Sequence, residues 1–213
     1  MRKKIIVRAP ILTQSGYGEQ ARFAVRALRS KEELFDIYIT PISWGETGWQ
    51  WEDTEERRWI DKIITKTAIY TQQDGHFDMS LQVTIPNEWQ SMAPVNIGYT
   101  AGIETTKVAP DWINRGNNMD NIIVVSNHSK ETYNNTKYDG LSLSTNIDVV
   151  NYAYREHEPE SIDGFELDYN FNYLIVSQWG PRKNMPDTLR WWIEEFIDRK
   201  VGLVLKTNIK NNS

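Results

Sequence analysis

Two short stretches place glycine or cationic side chains where a helix is expected to begin, and both would suit an anion. Residues 16–21, "GYGEQA", fit the pattern G-x-G-x-x-A between an apolar run and an amphipathic one. Without a Cβ, Gly16 and Gly18 let backbone amides approach an anion at a helix N-terminus, where unpaired N–H groups and the helix dipole concentrate positive potential. A dinucleotide site also needs an acid at the end of the second strand, about 20 residues on. Here that strand ends "ITPISW", without one. A phosphate, diphosphate or sugar contact remains open, beside a plain tight turn without a ligand. The second stretch, "WGPRKN" (179–184), sets Arg182 and Lys183 in the loop that feeds another helix. Cations there oppose the helix dipole. Anion binding explains them better than a solvated loop, since charge and directional donors coincide. Lys206 is expected at the carboxyl end of the next strand, on the edge where open α/β sheets bind ligands.

Other groups could take part. Glu104 in "YTAGIETT" (99–106) falls just past a strand, where a carboxylate acts as a base or binds sugar hydroxyls. The alternative is an exposed loop glutamate. Trp44, Trp49 and Trp51 crowd one glycine-containing loop. With Tyr17 they are candidates for stacking on a sugar or other ring, against the ordinary alternative of packing under the loop. No metal site is expected: His76, His128 and His157 are scattered, cysteine is absent, and no D-x-D pair occurs. P-loop, G-x-S-x-G and H-E-x-x-H patterns are also missing.

The elements that must position these groups follow from periodicity. Apolar runs at 4–12, 35–43, 80–86, 94–102, 121–126 and 147–154 read as strands. Between them, Ala21, Ala24, Val25 and Leu28 mark one helix face, and Trp59, Ile60, Ile63 and Ile64 mark another. A short helix is expected near 110–116, and one after Ser126 or Asn127 as its cap. This alternation predicts a mostly parallel α/β sheet covered on both faces. Residues 155–170 are acidic and broken by Pro159 and Gly164. The expected organisation is a Rossmann-like domain at 1–160, a linker at 161–170 and a partial second Rossmann-like domain at 171–213. In the last, Asn184 is the expected cap, and Leu189, Trp192, Ile193, Phe196 and Ile197 form the helical stripe before the strand "VGLVLKT".

The chain has 213 residues, a net charge of −5 and no basic cluster, which sets nucleic acid aside as a partner. The apolar start is broken by Arg8 and lacks a cleavage site, and no run approaches a membrane span. A cytoplasmic setting is the expectation.

Three stretches, in this order, carry a resemblance. "SGYGEQARFAVRAL", "NIGYTAGIETTKVAPDWINRGNNMDNIIVVSNHSKETY" and "YLIVSQWGPRKN" with "LVLKT" together resemble the two-Rossmann-domain (GT-B) glycosyltransferases, close to family 4 and the related group-1 transferases. The resemblance implies metal-independent transfer of a sugar from a nucleotide-sugar co-substrate to an unknown glycan or other acceptor, with no further cofactor. Lys183 and Arg182 fall where the family's second domain meets the donor diphosphate. Lys206, Gly16 and Gly18 join that set, Glu104 takes the catalytic carboxylate's place, and Tyr17, Trp44 and Trp49 take the acceptor side. Where the family has a glycine and arginine, this chain has Ser177 and Gln178. The family's second domain continues through several more βα units, so the chain reads as a fragment, inactive or nearly so alone, with self-association through its incomplete domain as an expectation. The alternative is a non-catalytic carbohydrate- or nucleotide-binding module. A dehydrogenase or epimerase is disfavoured by the missing acid.

Overall fold

A computed structural model describes residues 2–101 and 103–209, so Gly102 of the "YTAGIETT" stretch and the last four residues lie outside the described residues. The chain divides into two compact units, residues 1–154 and 155–213.

The first unit runs β1 (Lys3–Ala9), α1 (Gly16–Arg29), β2 (Phe35–Pro41), α2 (Glu55–Gln72), β3 (Met79–Val83), β4 (Val95–Thr100), α3 (Pro110–Gly116), β5 (Asn121–Val124), α4 (Asn127–Asn135), a two-residue hairpin pair β6 (Lys137–Tyr138) and β7 (Leu141–Ser142), and β8 (Ile147–Val149). Six strands form one sheet in the order β2-β1-β3-β4-β5-β8, every pairing parallel. It is a Rossmann-like α/β arrangement. Helix starts follow side-chain chemistry: the Oγ atoms of Ser15, Thr54 and Ser126 accept from the N–H of Gly18, Arg57 and Ser129.

Two apolar clusters fill the layers. One gathers Val7, Val25, Ile39, Ile60 and Val83, and the other gathers Trp89, Ile113, Ile122 and Tyr133. Trp89 lies flat against the sheet because β4 offers Gly98 there. A Cβ at Gly98 would come 2.6 Å from the indole. The edge strand β2 is closed off by α2 rather than left as a template for another strand. Ile39 N–H donates to Thr67 Oγ1 at 2.8 Å, and Lys66 Nζ donates to Ile37 O at 2.9 Å. The two helices are joined by the Arg26–Glu56 ion pair and by Arg29 over the Trp59 ring at 4.7 Å.

One strand is shorter than its sequence pattern suggests. The apolar run 147–154 pairs only over Ile147–Val149, since its neighbour β5 ends at Val124 and turns into α4. One last bond, Val150 N–H to Val124 O at 2.9 Å, ends the pairing.

The second unit holds β9 (Asn172–Trp179), a 3-10 turn over Pro181–Lys183, α5 (Met185–Phe196) and β10 (Gly202–Ile209), with β9 and β10 parallel. Helix α5 covers one face through the Tyr173, Trp192 and Phe196 rings. Its stripe is narrower than the sequence implies: Ile193 and Ile197 are exposed, as are Leu174 and Val176 of β9. A two-stranded sheet is too small to use a full apolar stripe.

This packing sets the expected stability of three variants. Gly18→Ala is expected to destabilise the chain by about 1–3 kcal/mol, because overpacked sites cost that much; the new Cβ would lie 2.2 Å from Thr13 O. Gly16→Ala, with nothing within 4 Å, should be neutral or stabilising by up to about 1 kcal/mol. Thr67→Val should cost about 1–3 kcal/mol by orphaning the Ile39 amide. Urea unfolding of the three variants checks all of this, and Gly18→Ala matching wild type would refute the packing argument.

Candidate functional site

In the strand order β2-β1-β3 the chain leaves β1 for one neighbour and returns on the opposite side for the other. The carboxyl end of β1 is therefore a topological switch point, the place where open parallel sheets leave a crevice for ligands. The loop after β1 and the first turn of α1 occupy it. Their position is set from inside. Arg22 is buried, and its Nη1 donates to Ile11 O at 2.7 Å and Thr13 O at 3.0 Å, while Nε reaches Glu19 Oε2 at 2.9 Å.

Tyr17 bridges this loop to the carboxyl end of β4. Its hydroxyl accepts from Ala101 N–H at 3.0 Å and shares a hydrogen bond with Thr100 Oγ1 at 3.0 Å. Its ring meets Trp44, which follows β2, with centroids 4.3 Å apart and planes tilted by 35°. The tryptophan loop is pinned back on the β1–α1 loop: Gln14 N–H donates to Gly48 O at 2.8 Å, Gln50 N–H donates to Leu12 O at 2.7 Å, and Thr13 bridges Trp49 antiparallel. Trp49 is 51% exposed and Trp51 79% exposed. Aromatic faces left open on a pinned loop can stack on a sugar or base without first being ordered.

The two glycines part company here. Gly16 is exposed at the helix start with open space beside it. Gly18 is buried, and its amide is already bound by Ser15 Oγ at 3.0 Å. Gly18 therefore serves the packing of α1 on residues 10–13, not the approach of an anion. Glu19 sits in the same first turn and pairs with Arg22 at 2.8 Å and Arg26 at 3.6 Å. An acid already occupies the positive end of this helix dipole, which weakens the case for a phosphate at α1.

Glu104 does not join the aromatic cluster. It rims a separate hollow of about 360 Å³ with Ile103, Thr105, Lys107, Val108 and Trp112. In the second unit, Arg182 and Lys183 are brought together in the exposed 3-10 turn directly after β9. Asn184 is not the side-chain cap expected of it. It adopts a left-handed conformation (φ 47°) that separates this turn from α5, and it makes no capping hydrogen bond. Lys206 also differs from its expected place. It pairs with Val176 in the middle of β10, three residues before Ile209. The strand is longer than the apolar run that suggested its end.

Thr100 and Gln20 were not legible as site residues. Thr100 could have been found as the last residue of a strand facing the crevice. Gln20 could have been found as a polar residue in helical register with Ala24 and Leu28. Among the described residues no group of three His, Cys, Asp or Glu could hold a metal, and no helix is long and apolar enough to cross a membrane.

Burial pushes the Tyr17, Tyr99 and Tyr133 hydroxyls above the usual phenol range, and burial with the Asp36 carboxylate beside it pushes Tyr38 up to about 12. A raised phenol keeps its proton in the folded state after the unfolded chain has lost it. Its contribution to stability is thus complete below pH of about 10 and is lost as pH rises toward the folded values. Urea stability is expected to fall above pH of about 10, with Tyr17→Phe removing part of that fall. A pH-independent stability between neutral and strongly alkaline conditions would contradict it. Comparison of the chain with family models, with curated proteins and with solved structures finds no match.

Proposed function

We propose that the chain carries nucleotide-sugar glycosyltransferase chemistry of the two-Rossmann-domain (GT-B) type, close to family 4. The observation that supports this best is the Tyr17–Trp44 pair at the switch point of a parallel sheet. The chain also carries a second parallel unit whose first strand leads into Arg182 and Lys183. In this reading the two cations hold the donor diphosphate and stabilise the charge that builds on it as it departs. Tyr17, Trp44 and Trp49 present stacking faces to the acceptor, and Gly16 leaves room at the helix start.

The transfer balances without a metal. The acceptor oxygen bonds to the anomeric carbon, the bond from that carbon to the diphosphate oxygen breaks, and the diphosphate leaves with the electron pair. The acceptor proton passes to a base, for which Glu104 is the candidate. A second reading, a non-catalytic carbohydrate- or nucleotide-binding module, is favoured by one feature: Glu104 rims a hollow that does not include Tyr17 or Trp44.

Calorimetric titration with UDP, GDP and ADP and their sugars tests the proposal. One nucleoside diphosphate is expected to bind, and Arg182→Ala/Lys183→Ala is expected to weaken it at least about tenfold, since charge-assisted hydrogen bonds to phosphate are worth that much. Trp44→Ala should leave nucleotide binding intact. Absence of nucleotide binding, or binding indifferent to the double variant, would sink the diphosphate assignment. Binding without release of diphosphate from any sugar donor, with acceptors supplied, would favour the module.

A further inference from the structure

The first unit has a second concavity that shares Gly16 with the sugar-transfer set but includes none of Tyr17, Trp44, Trp49 and Glu104. Parallel sheets are ordinarily covered on both faces. Beside α1, however, the face carrying Leu81, Tyr99 and Ile123 from three adjacent strands opens into a groove of about 540 Å³. One wall is the flank of α1, where Gln20, Phe23, Ala24, Ala27 and Leu28 recur at helical spacing. The other is the extended segment 150–153, left without a strand partner when β8 ends. The volume lies within the roughly 300–1,000 Å³ typical of small-molecule sites.

The polar groups in this groove are few and specific. Gln20 is 4% exposed, and its carboxamide makes no well-formed hydrogen bond, although the Tyr99 hydroxyl lies close enough to interact with it. A buried carboxamide with most of its capacity unused is rare, because each unpaired group forfeits its hydration without return. The Tyr99 hydroxyl lies nearby, its pKa raised by burial and eased by the neighbouring Gln20. Among the described residues no lysine, arginine or histidine lines the groove. The charged residue among its described lining, Glu19, is engaged by Arg22 and Arg26. An anionic headgroup would meet the Glu19 carboxylate, with those two cations already engaged by it.

We propose that this groove binds a neutral amphipathic small molecule, with an aromatic or aliphatic body on the Phe23, Leu28 and Leu81 side and a hydroxyl or carbonyl head on the Gln20 carboxamide. The carboxamide offers both a donor and an acceptor to such a head. This site touches the sugar-transfer set only at Gly16, and its test, which reads binding at Gln20 and Ala27, stands or falls separately from that reading.

Fluorescence titration of the full chain with N-phenyl-1-naphthylamine, displaced by 4-hydroxybiphenyl, biphenyl and biphenyl-4-carboxylate, tests it. The probe is expected to bind at one saturable site. The hydroxyl compound should displace it about tenfold more tightly than biphenyl, the factor for one good hydrogen bond, and the carboxylate should be weakest. Gln20→Leu should erase the hydroxyl preference while keeping biphenyl binding. It should also raise Tm, because an unpaired buried polar group is replaced by an apolar one of similar size. Ala27→Phe, at an exposed position on the groove wall, should block all three compounds. No saturable binding, tightest binding of the carboxylate, a hydroxyl preference that survives Gln20→Leu, or unchanged binding in Ala27→Phe would each overturn the proposal.

Discussion

The buried guanidinium of Arg22 holds the first unit together at the carboxyl end of β1. A charged group taken out of water is tolerated only when its donors are matched. Here two backbone carbonyls, at Ile11 and Thr13, and the Glu19 carboxylate supply the match. Those carbonyls belong to the loop that leaves β1, so satisfying Arg22 also fixes where α1 begins. Gly18 completes the junction by letting the helix backbone settle against Pro10 and Thr13, where no side chain would fit. Once α1 is seated this way, Tyr17 falls within reach of Thr100 and Ala101, and Trp44 finds a ring to pack on. The loop and helix are therefore organised from the inside outward, and the exposed aromatic surface is a consequence.

The same seating explains why the glycine motif misleads. In a dinucleotide site the small residues admit a pyrophosphate. Here the second glycine admits the protein's own backbone, its amide is taken by Ser15, and the first turn carries an acid. Sequence spacing cannot separate these cases, because both require a missing Cβ at the same helical position. What separates them is which oxygen lies opposite, and that depends on how residues 10–13 fold back.

Much of the scaffold was legible because local signals agreed with one another. Strands within 4–12 and 121–126, a short helix near 110–116 and a helix capped at Ser126 or Asn127 were all expected, and β1, β5, α3 and α4 stand there. The misplacements arose where a neighbour decides. The last strand of the first unit is cut at Val149 by the end of β5, not by its own residues. Lys206 lies inside β10 because β9 continues to Trp179 and carries the pairing past it. Asn184 takes the left-handed conformation because the chain makes a 3-10 turn before the helix. Of the candidate site, Tyr17 and Trp44 were identifiable by type, and their contact was not. It joins the first turn of α1 to the loop after β2, with the rest of α1 and all of β2 between them.

Helix α1 thus carries two kinds of surface at once. Its N-terminal turn presents Gly16 and Tyr17 to the switch-point crevice, and its flank from Gln20 to Leu28 walls the apolar groove. The two meet at Gly16, which also lines the groove, and they differ in chemistry. Stacking on Trp44 and Tyr17 needs an exposed face with polar surroundings, whereas the groove offers apolar area around one largely unused carboxamide. Arg22 sits between them on the same helix, engaged with the β1–α1 loop and with Glu19 at the groove's rim. Moving α1 to widen either site would strain those buried hydrogen bonds, whose loss would strand a charge in the interior. The helix is therefore held as a fixed wall, and whatever occupies either surface must adapt to it.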